Sequence, residues 1–468
     1  MNPVRREILK AAAASGLSAL APRAWARKPV VNDVSQLNPV EVAGVRRPRS
    51  TEDVQAALHA WPGAVSIGGG RFSMGGQIAE PGSLHLDMRR MNRVVSFDAA
   101  RRVIRVQSGI TWRDVQDAID PHGLSVRIMQ SFANFTVGGA LSVNCHGRYV
   151  GRGPIVNSVR AAQLVTADST VLELSRSQNA ELFRAVAGGY GAFGVVTEVE
   201  LELDENARIE RIVRHVPLER YPRFFHERVL ADPRMVMHNA DLIPPGFDSP
   251  VAVSWRATKK PLTEEQRLVP RGLGYSLDQD VIWAITELPG GGSLRKAVVD
   301  PLLLGKPAVV WRNHEASLDT AMLEPRTRRG STYVLEEYFI PVARFVPFAR
   351  GMASILRKHA VNALNVSIRH SPADATSLMA WAPQEVFSFV LYYKQRSTKR
   401  ASADAQAWTR ELIDAALEQG GRYYLPYRLN ATREQFRRAY PEAAEFSALK
   451  ARVDRGNRFR NLLWDAYL

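Results

Sequence analysis

Residues 68–77 read Gly68-Gly69-Gly70-Arg71-Phe72-Ser73-Met74-Gly75-Gly76-Gln77 and directly follow a short apolar run at residues 64–67. The apolar run predicts a strand. Successive glycines let the following backbone adopt positive φ and turn its N–H groups toward one point, which favours phosphate binding. Arg71 and Ser73 can add charge and a hydroxyl donor, and the Gly-Lys-Ser/Thr ending of the nucleoside-triphosphate loop is missing. The stretch therefore predicts a phosphate-binding loop, the phosphate cradle, that differs from the nucleoside-triphosphate loop.

Two more glycine clusters follow within about 120 residues. Thr136-Val137-Gly138-Gly139-Ala140 leads into Asn144-Cys145-His146-Gly147, and its glycines stand at a predicted helix start, where free N–H groups can bind a pyrophosphate. Residues 188–194 contain G-x-G-x-x-G, but a helical pattern precedes it and a strand pattern follows. The dinucleotide-binding fingerprint needs the opposite order, so this cluster does not indicate a Rossmann domain.

The periodicity around these clusters predicts an α+β chain. Residues 48–202 alternate short strands and helices: a helix after Ser50, a strand at 102–107, a helix from 111, two strands within 159–174 and a strand at 195–203. Residues 207–420 contain longer alternating strands at 333–340 and 385–393 and a helix at 405–417, with one glycine cluster at 289–292. A last helix is predicted at 432–440.

Composition narrows the function classes. Cys145 is the single cysteine, which excludes internal disulfides and multi-cysteine metal sites, and the ten histidines show no HExxH or HxxxH pairing. We therefore predict no metal site. The net charge of +15 is compatible with an arginine-rich surface or with acidic partners, but no basic run is interleaved with aromatic residues. We predict no nucleic-acid partner.

The first 26 residues are typical of an export signal. Arg5-Arg6 precede Ile8-Leu9-Lys10, an alanine-rich apolar stretch follows, and Ala24-Trp25-Ala26 fits a cleavage site. The arginine pair resembles the twin-arginine signal, and the apolar stretch is too short to span a bilayer. We expect a periplasmic protein without a transmembrane segment; the alternative is an ordinary amphipathic helix.

The three clusters together resemble the FAD-binding domain of the vanillyl-alcohol oxidase superfamily, the p-cresol methylhydroxylase (PCMH) type. The segment Gly421-Arg-Tyr-Tyr-Leu-Pro-Tyr427 and the later Arg458-Phe-Arg-Asn461 resemble the closing segment of aldonolactone and alditol oxidases and of decaprenylphosphoryl-ribose oxidases. The resemblance implies a two-subdomain FAD-binding domain at residues 38–204, an antiparallel-sheet substrate-capping domain at 205–420, and a C-terminal segment at 421–468 that completes the FAD domain.

The resemblance also implies which residues contact FAD. They are Gly68, Gly69, Gly70, Arg71, Phe72, Ser73, Gly76, Gln77, Ser131, Thr136, Gly138, Gly139, Asn144, His146, Val196 and Tyr424. Many relatives tether the flavin through a histidine in the first glycine loop, where this chain has Phe72. Others use a cysteine just before the second cluster, where it has Asn134-Phe135. We therefore expect FAD to be bound without a covalent link.

Three residues are implied as catalytic. Glu337 stands four residues before Pro341, where alditol oxidases carry a glutamate, and Arg369 stands where sugar oxidases place a cation. Tyr427, followed by Arg428, occupies the place of a lysine in the sugar oxidases. The sequence alone leaves a surface salt bridge as the alternative for Glu337 and Arg369.

The expected function is oxidation of a hydroxyl group on a small polyol, sugar or lactone by hydride transfer to FAD, with oxygen or another electron acceptor as the second partner. Two alternatives stay open. One is a flavin dehydrogenase that passes electrons to a protein or quinone, and the other is a non-catalytic periplasmic binder of an anionic metabolite.

Overall fold

The computed structural model describes residues 28–287, 305–325 and 327–468. The expected export signal and the glycine cluster at 289–292 lie outside these ranges. Within them, no helix is both long enough and apolar enough to span a bilayer.

The strands of the described ranges fall into four sheets. They are β1 (Val30–Val31), β2 (Val40–Glu41), β3 (Gly44–Arg46), β4 (Val65–Gly68), β5 (Leu84–Asp87), β6 (Val94–Asp98), β7 (Val103–Gln107), β8 (Leu124–Val126), β9 (Val159–Val165), β10 (Val171–Ser175), β11 (Val195–Glu205), β12 (Arg208–His215), β13 (Met235–Leu242), β14 (Val251–Ala257), β15 (Val309–Trp311), β16 (Ser331–Pro341), β17 (Ala363–Ser371), β18 (Val386–Arg396) and β19 (Arg422–Tyr423).

The α-helices mostly connect or cover these sheets. They are α1 (Thr51–Ala60), α2 (Trp112–Ile119), α3 (Val137–Ser142), α4 (Ala180–Val186), α5 (Tyr221–Phe224), α6 (Ser276–Glu287), α7 (Arg312–Ala316), α8 (Phe345–Lys358), α9 (Lys399–Glu418), α10 (Arg433–Ala439), α11 (Ala443–Val453) and α12 (Leu462–Tyr467). A π-helical turn, Phe225–Leu230, continues α5.

Two sheets form the N-terminal part of the fold. The smaller is parallel, with strand order β3-β5-β4, and the larger is antiparallel, with order β10-β9-β11-β7-β6 and β8 paired to β11. Strand β11 alternates strictly, with Val195, Thr197, Val199, Leu201 and Leu203 buried on its inner face. This alternation is the period-2 pattern from which the strand was predicted.

Helix starts in this part follow their capping residues. The Ser50 hydroxyl accepts a hydrogen bond from the N–H of Asp53 at the start of α1, as the sequence predicted. Thr111 and Asp114 form a capping box at the start of α2, where each side chain satisfies a backbone N–H of the other residue. These caps fix where the chain turns from strand into helix.

An eight-stranded antiparallel sheet of order β15-β12-β14-β13-β17-β18-β16-β19 forms the second part. Its long central strands present different residues to the two faces because side chains alternate along a strand. On β16, Glu336 and Tyr338 lie on the face covered by helices, where the Tyr338 ring packs at a tilt against Phe348 of α8. Tyr333, Leu335 and Glu337 lie on the opposite face, which lines a cavity.

The C-terminal segment returns to the first sheet. The N–H of Val65 in β4 donates to the carbonyl of Arg458 at 2.6 Å, and the N–H of Arg460 donates to the carbonyl of Val65 at 3.0 Å. The Gln77 amide donates to the carbonyls of Leu425 and Tyr427, both at 2.7 Å. These contacts join the first glycine loop to the last 50 residues of the chain.

The predicted α+β class with antiparallel sheets is confirmed. The strands predicted at 102–107, 159–174, 333–340 and 385–393 are present within one to three residues at most ends, and the helices predicted after Ser50 and at 405–417 are present too, the latter extended by six residues at its start. The division into two FAD subdomains and the domain limits at 38, 204 and 420 stay predictions.

Candidate functional site

A cavity of about 450 Å³ lies between the glycine loops and the face of the eight-stranded sheet opposite its helices. Most residues that the sequence singled out line it. They are Gly69, Gly70, Arg71, Phe72, Ser73, Gln77, Ser131, Thr136, Gly138, Gly139, His146, Val196, Glu337, Arg369, Tyr424 and Tyr427. Positions as far apart in sequence as 69 and 427 therefore line one cavity.

The first glycine loop presents backbone donors to this cavity. Within the described ranges, nothing accepts a hydrogen bond from the N–H of Arg71, Phe72 or Ser73. Arg71 has φ of 64° and its guanidinium lies 3.3 Å from the carboxylate of Asp87, which anchors the loop to β5. Three adjacent N–H groups without an acceptor among the described residues, beside a cation, are the kind of donor set that a phosphate nest requires.

Gly69 matters for a different reason from the one expected. Its φ is not positive; the left-handed positions of this loop are Arg71 and Gly76. A Cβ atom on Gly69 would lie 2.3 Å from the Thr136 hydroxyl oxygen. Glycine is needed there because the first and second loops approach each other too closely for any side chain.

The second loop also differs from its expected role. The N–H of Gly138 donates to the carbonyl of Ser108 at 2.7 Å, and the N–H of Val137 donates to the carbonyl of Ile110 at 2.9 Å. These donors at the start of α3 are therefore already paired. A Cβ on Gly138 would lie 2.5 Å from the Cβ of Ser108, so this glycine serves close packing against the cavity wall.

Several buried polar atoms of the cavity wall have no partner among the described residues. They are Ser108 Oγ, Ser131 Oγ, Arg71 Nε and Arg369 Nε. A buried polar atom left unpaired costs about 1–3 kcal/mol, so such atoms usually face a ligand or water. Three lie on the glycine-loop side and one, Arg369 Nε, on the sheet side, which indicates a ligand that spans both.

A buried ionic cluster forms the sheet side of the cavity. His146 Nε2 lies 2.6 Å from Glu337 Oε1, and the Tyr427 hydroxyl lies 3.3 Å from Glu337 Oε2. Burial alone would raise the pKa of Glu337, but the charge and hydrogen bond of His146 and the charge of Arg369 outweigh it and hold the pKa below its usual value. Glu337 is therefore a buried carboxylate that stays ionised.

The partners of Glu337 keep their protons. Burial, and then the nearby charge of Glu337, raise the pKa of Tyr427 well above its usual value, so this phenol donates rather than accepts. Burial lowers the pKa of Arg369, an effect that the charge of Glu337 opposes. Arg369 remains a cation at neutral pH because a free guanidinium loses its proton only above about pH 12. A negative and a positive group thus face the same cavity.

Aromatic rings enclose this cluster. Trp381 lies 4.9 Å from the His146 ring and stacks on Phe339 at 4.2 Å. The Tyr424 hydroxyl donates to the carbonyl of Val143 at 2.7 Å, which fixes its ring beside the cavity. The rings exclude water from the His146–Glu337 pair and thereby strengthen its electrostatic interaction.

Three predicted cofactor residues do not line the cavity. Gly68 ends β4, where a Cβ would lie 2.7 Å from the His85 ring, and the N–H of Gly76 donates to Asp33 at 3.1 Å. The Asn144 amide donates to Asp374 and Ser377 at 2.9 and 2.8 Å. These residues support the loops through internal contacts rather than by facing the cavity.

Sequence reasoning missed other lining residues. The third glycine cluster contributes Gly189, Tyr190, Gly191 and the rest of 189–194, and the polar residues Ser108, Arg148, Glu324 and Arg328 also contribute. The glycine cluster was part of the resemblance to the FAD-binding domain, but none of its residues was assigned to the cofactor. The polar residues carry no motif and lie in loops outside the strands.

Comparisons with known proteins address the glycine-loop half. The sequence profile of the family described as "FAD binding domain" matches residues 42–175. Residues 42–175 are an FAD-binding domain. The resemblance to PCMH-type FAD oxidoreductases is confirmed for this part of the chain, and residues 69–73 of the cradle lie within it.

Similar proteins match over the same part. The chain is 31% identical to L-gulonolactone oxidase from Bos taurus over 159 residues, 33% of this chain and 36% of that protein. It is 32% identical to decaprenylphosphoryl-beta-D-ribose oxidase from Mycolicibacterium smegmatis over 32% of this chain and 33% of that protein. It is 29% identical to an alditol oxidase from Streptomyces, over 34% of this chain and 38% of that protein. The chain thus spans about a third of the length of these relatives.

The residues present fit an FAD molecule. The unpaired N–H groups of residues 71–73 and the Arg71 cation suit its pyrophosphate, and the close approach at Gly69 leaves no side chain in the way. The orphaned Ser108 and Ser131 hydroxyls supply further polar partners. The flavin end would then face the sheet wall that carries Glu337.

Proposed function

We propose that the protein is an FAD-dependent oxidoreductase that oxidises a hydroxyl group of a small polyol, sugar or sugar lactone. The observation that carries this proposal is the buried His146–Glu337 pair, 2.6 Å apart, on the wall of the cavity that also contains the cradle. Bound FAD would accept a hydride from the carbon that bears the hydroxyl. The protein must then take up the hydroxyl proton.

His146 is suited to accept that proton. Glu337 is an ionised carboxylate and can only accept hydrogen bonds, so Nε2 of His146 carries the proton shared at 2.6 Å. Nδ1 can act as the general base when it carries no proton, so the imidazolium must first lose its Nδ1 proton. Glu337 fixes this tautomer and stabilises the imidazolium that forms, and Tyr427 holds its second oxygen.

The residues on the sheet side of the cavity favour a substrate with several hydroxyl groups. Asn239, Asn365 and Ser367 line the cavity on β13 and β17, together with Arg148 and Arg328. Amide, hydroxyl and guanidinium groups can donate to several hydroxyl or carbonyl oxygens at once. Arg369, with its orphaned Nε, can orient the oxygen at the reacting carbon or a lactone carbonyl.

Anaerobic reduction tests this function. Purified yellow protein is mixed without oxygen with a panel of alditols, sugars and aldonolactones, and flavin absorbance is followed. We expect bleaching by at least one compound, with carboxylic acids and phosphates lacking a free hydroxyl as negative controls. Absence of bleaching by every member, with a chemical reductant still bleaching the flavin, would favour the non-catalytic binder. Readmitted air or a quinone then identifies the electron acceptor.

We propose further that FAD is held without a covalent bond. Phe72 packs against Phe135 at 4.4 Å where many relatives carry a tethering histidine, and a phenyl ring has no nucleophilic atom. Burial raises the pKa of the Cys145 thiol, so the thiolate needed for attack is not formed near neutral pH. Acid precipitation should release all FAD into the supernatant; flavin retained in the pellet would refute this.

Export through the twin-arginine route is proposed on the sequence of residues 1–26. This route carries folded proteins, which suits a protein that binds its cofactor in the cytoplasm. Replacement of Arg5 and Arg6 by lysine should leave FAD-loaded protein in the cytoplasm. An unchanged periplasmic yield would contradict the proposal.

A further inference from the structure

Two imidazoles and one carboxylate converge on the helix-covered side of the eight-stranded sheet. His226 Nε2 and His370 Nε2 lie 2.9 and 2.7 Å from the same atom, Glu385 Oε1. All three ligand atoms lie within 4.8 Å of one another. The residues come from three elements: the π-helical turn Phe225–Leu230, the end of β17, and the residue before β18.

Alternation along β17 separates this cluster from the cavity. Arg369 lines the cavity, so the next residue, His370, faces the opposite side of the sheet. There its ring packs against Phe225 at 4.5 Å, and only 4% of its side chain is exposed. His226 and Glu385 are 35% and 43% exposed and leave an open side toward solvent. The cluster thus has a buried ligand and an entry path.

The proton on His226 decides what the cluster can bind. Its Nδ1 lies 2.8 Å from the carbonyl oxygen of Pro222, and a carbonyl only accepts, so Nδ1 carries a proton. Its Nε2 therefore meets the Glu385 carboxylate either as the second N–H of an imidazolium or as a bare lone pair. In the second state the bare Nε2 and the carboxylate oxygen are both available as ligands for a cation.

We propose that His226, His370 and Glu385 form a binding site for a divalent transition metal ion, zinc being the expected occupant. Imidazole nitrogen and carboxylate oxygen are the ligands of three-residue zinc sites, in which water takes the fourth position. The Pro222 carbonyl supplies the outer hydrogen bond that orients a metal-binding imidazole. π-Helical turns are often retained where a side chain must be placed for function.

Metal binding needs the ligand atoms, which lie within 4.8 Å of one another, to rearrange around the ion. Tetrahedral zinc with bond lengths of about 2.0–2.2 Å sets its ligands about 3.3 Å apart, so Glu385 must retreat by roughly half an ångström. Its side chain is exposed and can do so. His370 must carry its proton on Nδ1, which is buried without a partner, and this cost should hold the affinity in the micromolar range.

The sequence predicted no metal site because its histidines form no closely spaced pair. Here Glu385 lies 159 residues after His226 and 15 after His370, so only the sheet brings them together. A surface ligand set of this kind would join the helical turn to β17 and β18. We expect a stabilising role, independent of the proposed oxidation.

The test uses untagged, FAD-loaded protein freed of metal by a chelator, with zinc chloride as the only added ligand. We expect one zinc ion per chain and, at a hundredfold excess over Kd, a rise in Tm of about 2–4 °C. His226→Ala should weaken binding at least about tenfold and abolish the shift. Because His370 is buried and its alanine variant can misfold, His226→Ala and Glu385→Ala are the deciding variants.

His359→Ala is the matched control. His359 Nε2 lies 2.7 Å from Glu411, but no second imidazole joins that pair. We expect its zinc binding and Tm shift to equal those of the wild type. Wild-type protein that binds no zinc at about 100 μM, or equal binding by the His226→Ala and His359→Ala variants, would overturn the proposal.

Discussion

The two halves of the cavity are built in different ways. The glycine-loop half offers backbone: unpaired N–H groups at residues 71–73 and loops so close that Gly69 cannot carry a side chain. The sheet half offers side chains: Glu337, Arg369 and Tyr427 arrive from β16, β17 and the C-terminal segment. A binding site made of backbone groups needs contiguous glycines, which are visible in the sequence as a motif. A site made of side chains on separate strands has no such motif.

This difference explains what the sequence predicts. The FAD-binding domain was recognised because its binding groups lie within short continuous segments. Glu337, Arg369 and Tyr427 were placed by resemblance, and their meeting in one cavity could not be derived from spacing, since Glu337 lies 191 residues from His146. Their convergence depends on strand register, which pairs Glu337 with Val390 and Arg369 with Ser388 on neighbouring strands.

The sequence was least reliable where glycines serve packing. Gly138 was expected to free N–H groups for pyrophosphate, but its own N–H is paired with Ser108 and its missing side chain permits close packing. Asn144 was expected to contact the cofactor, but its side-chain amide donates hydrogen bonds to Asp374 and Ser377. A sequence motif shows that a position is constrained. Only the three-dimensional contacts show whether a ligand or internal packing imposes that constraint.

The largest effect is expected on the backbone half. Gly69→Val places a branched side chain where a Cβ would lie 2.3 Å from the Thr136 hydroxyl, so the two loops must separate and the cradle is lost. We expect purified protein with almost no flavin, measured as the ratio of flavin to protein absorbance. Gly330→Val is the control, because nothing lies within 4 Å of a Cβ there. Equal flavin content in both variants would contradict the assignment.

A smaller but still large effect is expected on the sheet half. Glu337→Gln keeps the volume but removes the charge that orients His146 and stabilises its protonated form. Anaerobic flavin reduction should slow roughly 100-fold or more, with flavin content unchanged. Glu336→Gln is the matched control, since Glu336 lies on the helix-covered face. A Glu337→Gln rate within about threefold of the wild type would leave Glu337 with a structural role only.

Tyr427→Phe should have a modest effect. It removes one hydrogen bond, 3.3 Å long, to a carboxylate that His146 and Arg369 still hold. The loss of such a bond is worth about 1 kcal/mol, so flavin reduction should slow roughly two- to tenfold. A loss as large as that of Glu337→Gln would mean that the phenol itself takes part in proton transfer.

The opposite face of β16 offers a contrast in pH dependence. Burial raises the pKa of Glu336 to about 8. Because its folded pKa exceeds the unfolded value, its contribution to stability is complete below about pH 4.5 and is lost as the pH rises through about 8. Between pH 5 and 8 this group should lower the free energy of unfolding by about 3 kcal/mol.

Glu336→Gln should remove that slope in chemical unfolding measured at several pH values. Glu337→Gln should retain it, because the pKa of Glu337 is lowered and its contribution is lost only at acid pH, as the pH falls through that pKa. Equal slopes in the wild type and Glu336→Gln would show that Glu336 is not protonated at neutral pH.

The central claim is that the two halves act together to remove hydride and proton from one hydroxyl-bearing carbon. The most direct measurement is anaerobic flavin reduction by a bleaching substrate with deuterium at that carbon. The account predicts slower reduction of wild-type protein by the deuterated compound than by the ordinary one. Equal rates, in a protein whose reduction is nevertheless slowed by Glu337→Gln, would contradict it.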